Sequence, residues 1–144
     1  MTTEMETFDT TVQKTNLWLK TLMDEEGWED RHRAYLALRA ALHTLRDRLT
    51  VEETMHLSAQ LPMLIRGFYM EGWQPGGKPK RWRTKREFLD NLASRLPDDP
   101  ELDPERVARA VFYVLSKKIS AGEVRDILET LPKELRDLWP KASA

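Results

Sequence analysis

The chain can be laid upon itself: a shift of 70 positions places residues 33–69 over 103–139 without a gap. Repetition on this scale confines the fold to one in which similar supersecondary units share a core. Identities fall at Arg39/Arg109, Ala40/Ala110, Leu45/Leu115, Glu53/Glu123, Leu61/Leu131, Pro62/Pro132 and Arg66/Arg136. Conservative pairs such as Leu42/Phe112, Leu49/Ile119, Thr50/Ser120, Leu57/Ile127 and Tyr69/Trp139 lie between them and keep the apolar phase. A cap, a proline and a core stripe in one register point to duplication of a single unit.

Each element of that unit reads as helix. Thr3 with Glu6, and Thr84 with Glu87, have the spacing of a capping box, in which the hydroxyl and the carboxylate each satisfy an orphan N–H of the other residue. They open helices carrying Phe8, Val12, Leu19 and Leu22 in one half, and Phe88, Leu89, Leu92 and Leu96 in the other. Residues 30–48 form a longer helix with one apolar face: Ala34, Leu38, Ala41, Leu42 and Leu45. Its counterpart starts with Asp103 as N-cap and Pro104 at the first helical position, where the missing N–H is not needed. Thr50 and Ser120 are N-caps with Glu53 and Glu123 at N3, predicting two further capping boxes. Pro62 and Pro132 then end one helix and start the next. No segment alternates as a strand would. The expected fold is all-α: a first repeat over 1–71, a basic Gly/Pro linker over 72–86 and a second repeat over 87–144, about four helices in each repeat, packed as one bundle or array.

This pattern resembles a bacterial family known as domain of unknown function 2267. The residues that carry the likeness are Leu42 to Leu49, Gln60-Leu61-Pro62, Arg66-Gly67-Phe68-Tyr69, Gly72-Trp73, the Phe88 region, Arg109-Ala110-Val111, and Ile119 to Glu123 through Leu131-Pro132. The resemblance implies an all-helical, internally duplicated cytoplasmic protein, and it implies no activity.

Several function classes are excluded or weakened by what the chain lacks. It has no cysteine, so disulfides, thiol nucleophiles and cysteine metal sites are out. The acidic start and the lack of any long apolar run argue against a signal peptide or a membrane span and for the cytoplasm. Glu29/His32 and Glu53/His56 repeat the Glu-x-x-His frame of di-iron bundles, yet helix rise separates the two frames by roughly 30 Å. No bridging carboxylates complete a set, so neither metal nor cofactor is expected. No serine or threonine has a base nearby in sequence, and Gly76-Gly77 lacks the context of a phosphate loop. Catalysis therefore ranks below binding.

Net charge is −1, but the linker concentrates Lys78, Lys80, Arg81, Arg83, Lys85 and Arg86 without an acid, leaving −7 for the remainder. Lys85 and Arg86 fall where the helix dipole is already positive, which suggests a held anion. Trp82 among these cations is suited to stacking on a base. The alternative is that the linker lies against the chain's own acids in 1–30 or 87–105. Two binding roles follow. The first is a helical interaction module that holds a protein partner through grooves or the Phe68-Tyr69-Met70 and Trp73 surface. The second is an anion or nucleic-acid site built from Lys78, Lys80, Arg81, Trp82, Arg83, Lys85 and Arg86.

Overall fold

A computed structural model describes residues 5–141, and among them the fold is all-α. The helices are α1 (Glu6–Glu26), α2 (Arg31–Arg48), α3 (Val51–Gln60), α4 (Met63–Met70), α5 (Lys85–Ala93), α6 (Pro104–Lys118), α7 (Ala121–Thr130) and α8 (Lys133–Arg136). None of them is long and apolar enough to cross a membrane. The two sets of four interlock: α1 and α2 both pack on α6, α2 also on α5, and α3 on α7.

The local signals act largely as their chemistry requires. Asp30 caps α2 by accepting from His32 N and Arg33 N, and Asp103 accepts from Arg106 N beside Pro104. At α5 the box is complete, with Thr84 Oγ1 accepting from Glu87 N while the Glu87 carboxylate accepts from Arg83 N and Thr84 N. Those backbone donors hold the Glu87 carboxyl below its usual range. Gly27 terminates α1 with a φ of 70°, returning its N–H to Met23 O. The box expected at Thr3 falls on a residue outside those described.

Thr50 and Ser120 each accept from the N–H of the glutamate three residues on, at 3.1 Å in both halves. The reciprocal half of the expected boxes is not made. The Glu53 and Glu123 side chains turn inward instead, and both are buried.

Two other expectations need correction. Phe8 and Val12 belong to an exposed face of α1, and it is Trp18, Leu19 and Leu22 that enter the core. The 30–48 helix is also more than a one-faced element, because α2 is enclosed on every side from Ala40 to Arg48. It is the central rod of the fold, covered by α1, α4, α5 and α6.

Enclosing α2 buries Arg46, Asp47 and Arg48 at its last turn, where each is satisfied. Arg46 donates to the carbonyls of Tyr69 (2.6 Å) and Glu71 (2.7 Å) and to Asp47 Oδ1 (3.1 Å). Asp47 Oδ2 receives Arg95 at 2.6 Å, and Arg95 also donates to Thr44 Oγ1. Removing one member of such a cluster strands the others in low dielectric. Asp47→Ala is expected to cost about 3 kcal/mol and to lower Tm by roughly 6–12 °C. Lys20→Ala, which breaks only the exposed pair with Asp24, should change stability by less than about 0.5 kcal/mol. Thermal and urea unfolding of the two variants checks the contrast.

Candidate functional site

The basic linker is a strap laid over the end of α2. Lys80 N donates to Asp47 O at 2.8 Å, and Arg48 Nε donates to Trp82 O at 2.7 Å. Trp82 is half-buried, with its ring edge-on to Phe88 at 6.2 Å between centroids. Part of the Trp82 ring is therefore taken up by packing against the core.

The six cations divide into two groups. Lys85 Nζ lies 3.6 Å from Glu105, and Arg86 Nε lies 3.8 Å from Asp90 on the exposed face of α5. Lys85 N donates to the Glu134 carboxylate of α8 at 3.0 Å. The anions at the start of α5 are thus the chain's own Glu87, Glu134 and Glu105. Lys78, Lys80, Arg81 and Arg83 make no ion pair among the described residues. No acid of α1 reaches the strap, whereas the 87–105 segment supplies two partners.

A second assembly escaped the sequence reading. Where α3 meets α7, the buried carboxyl groups of Glu53 and Glu123 lie close enough to shift one another's ionisation. The Oε2 of each is buried and has no hydrogen-bond partner. Two carboxylates so placed cannot both ionise cheaply, and a proton kept on one of them would supply the donor that both lack. Burial first, then the adjacent carboxyl of Glu53 and the negative charge of Glu53 and Asp126, push the Glu123 carboxyl up to about 8. The surrounding groups are Glu52 and His56 on α3, Asp126 on α7, Tyr69 on α4 and Arg46 on α2. His56 Nδ1 is 3.9 Å from Glu53 Oε1, and no third carboxylate or imidazole joins to make a metal cluster among the described residues.

The third region is apolar. Phe8 and Val12 of α1 face Met63, Leu64 and Phe68 of α4 across a groove floored by Leu19 and Tyr35. Phe8 is 54% exposed, Val12 46%, Leu64 45% and Met63 43%. Thr11 Oγ1 accepts from Leu64 N at 2.9 Å and fixes the spacing of the two helices. Tyr69, expected on an interaction surface, is fully buried: its hydroxyl donates to Thr54 O at 3.0 Å. Phe68 and Met70 are half-buried, as is Trp73.

A family model described as "Uncharacterized conserved protein (DUF2267)" matches residues 15–138 of the chain. No curated protein matches it.

The acid pair makes a signed prediction. A carboxyl raised in the folded state keeps its proton while the unfolded chain has lost its own, so the stability it confers falls as pH rises from about 4.5 through about 8. In Glu123→Gln the amide donates to Glu53 at every pH. The variant should gain roughly 1–2 kcal/mol on the wild type at the alkaline end of this window, with little gain at its acid end. His43 contributes with the opposite sign, since burial holds its imidazole neutral while Nε2–H donates to Phe68 O. Subtracting variant from wild type cancels that contribution. Urea unfolding across the window checks the result, and parallel pH profiles for the two proteins would contradict the retained proton.

Proposed function

The chain belongs to the DUF2267 family, and from that premise we propose that it is a non-catalytic interaction module of the cytoplasm, built from two copies of one helical unit, which holds a protein partner in the α1–α4 groove. The observation that carries this reading is the clustering of Phe8, Val12, Met63 and Leu64, all more than two-fifths exposed, on two facing helices. In a chain with 33% charged residues, water-facing apolar side chains are spread singly unless something covers them. The groove runs between two helices and has an apolar floor, which suits the apolar face of a third helix. Its rim charges are engaged internally, Arg31 with Asn16 and Glu71 with Arg39. Affinity would therefore come from apolar burial.

A second reading is favoured by the four unpaired strap cations. Lys78, Lys80, Arg81 and Arg83 could neutralise up to four phosphates, so duplex DNA binding would weaken with salt at a log-log slope no steeper than roughly −4. Changing all four to Gln should abolish that binding and leave Tm nearly unchanged, because exposed charges contribute little to stability. A wild type that binds neither DNA nor RNA at low salt excludes this role.

The primary reading is tested by a photo-crosslinking residue at position 64 in the groove and, as a control, at the exposed position 17 outside it. A discrete adduct from position 64 in living cells, absent from position 17, is the expected outcome. The same reagent at position 12 should lose its adduct when Leu64→Asp is added, with stability changed by less than about 0.5 kcal/mol. Identical labelling at 64 and 17 would refute the groove.

A further inference from the structure

The amino-terminal face of α1 has a complementary surface elsewhere on the same molecule. A cleft between α6, α7 and α8 has apolar walls of Tyr113, Val124, Leu128 and Pro140. Four cations rim it, Lys117, Arg125, Arg136 and Lys141, against the single acid Glu129. Lys117 Nζ stands 5.3 Å from the centre of the Tyr113 ring, so charge and aromatic surface meet at one edge of the cleft. None of the four cations forms an ion pair among the described residues.

The first half of the chain carries different side chains at the positions equivalent in sequence. Seventy residues earlier than Ser116, Val124 and Trp139 stand Arg46, Thr54 and Tyr69. There the Tyr69 ring is fully buried with its hydroxyl on Thr54 O, and the Arg46 guanidinium caps the carbonyls of Tyr69 and Glu71. In the second half, serine replaces the arginine, and the Ser116 hydroxyl turns back to Tyr113 O. Trp139 stacks on Phe112, with centroids 4.4 Å apart and planes 8° from parallel. The aromatic residues at the two equivalent positions are thus engaged differently.

What fits is an aromatic or aliphatic ridge flanked by acids. The start of α1 provides one, with Met5, Phe8 and Val12 along one stripe of the helix and Glu6 and Asp9 along the next. All five side chains are exposed, and neither acid forms an ion pair among the described residues. Glu6 and Thr7 share a hollow with Lys118, so the acidic ridge lies at the same end of α6 as the cleft.

We infer that the partner of the α1 face is a second copy of this chain, the amino-terminal turns of each α1 seating in the α6–α8 cleft of the other. The inference rests on the docking role given to the α1–α4 groove only through its exposed Phe8 and Val12 wall, and names the surface that would cover that wall. Because both patches sit at one end of α6, a two-fold axis can satisfy both contacts at once, and this closes the assembly at two chains. Duplicating the contact is also how two small patches approach the roughly 1,200–2,000 Å² that stable interfaces bury. Opposed charge across the interface makes association fall with salt.

Charge reversal tests this directly. One variant carries Glu6→Lys and Asp9→Lys, and the other carries Lys117→Glu and Arg125→Glu; all four positions are exposed, so circular dichroism and Tm should match the wild type. In sedimentation velocity at low salt, the wild type is expected to run at twice the 16.9 kDa chain mass. Each variant alone should dissociate with a Kd raised about tenfold or more. The equimolar mixture should recover the dimer, because in the mixed pair the reversed ridge faces the reversed cleft and the second contact keeps its original charges. A wild type that stays monomeric at high-micromolar concentration, or a mixture no more associated than its components, overturns the inference. The position-64 crosslink separates the two failures: an adduct with a different protein leaves the docking face standing and removes only the self-pairing, whereas no adduct together with a monomer removes both.

Discussion

The last turn of α2 is the constraint on which the remainder of the molecule depends. An enclosed helix must satisfy its terminal carbonyls and any charges it carries, because water is not there to do so. Arg46, Asp47 and Arg48 meet this need with partners from three other segments: the end of α4, the strap and Arg95 beyond α5. The same bonds that make burial tolerable therefore fix where the chain goes after α4 and how the second set of helices returns. Apolar packing of Leu38, Leu42 and Leu45 supplies the driving force. The charged turn supplies the geometry.

Much of this was legible in sequence because it is local. A hydroxyl or carboxylate at N-cap and a proline at the first helical position act on neighbours within four residues, and Thr84 and Asp103 behave accordingly. The 3.6-residue period located the helices but not what covers each face. Phe8 and Val12 share the helical apolar period yet are solvent-facing, while the charged Arg46, Asp47 and Arg48 are buried. Glu53 and Glu123 show the same limit at a single residue. An N3 glutamate can reach back to its cap or turn inward, and only a matching carboxyl on another helix decides between them. Their identity at equivalent positions was the signal available, though by itself it did not distinguish the two uses.

The candidate surfaces follow the same division. The basic run was plain in the sequence, but its allocation was not. Two cations face the chain's own acids, Trp82 packs in a T-shaped contact with Phe88, and the other four cations make no ion pair among the described residues. The α1–α4 groove and the α6–α8 cleft are products of packing between elements distant in the chain.

The strap also determines how the molecule comes apart. A linker rich in glycine and proline would ordinarily let flanking units breathe independently, each with its own opening free energy. Here the linker's backbone is bonded to the last turn of the rod that both sets of helices enclose. Pulling the second set away removes the bonds of Asp47 O and Arg48 and the lateral cover of α2, while withdrawing α2 removes the floor beneath α5 and α6. By these contacts the two halves are expected to open together, although the sequence divides them into two units.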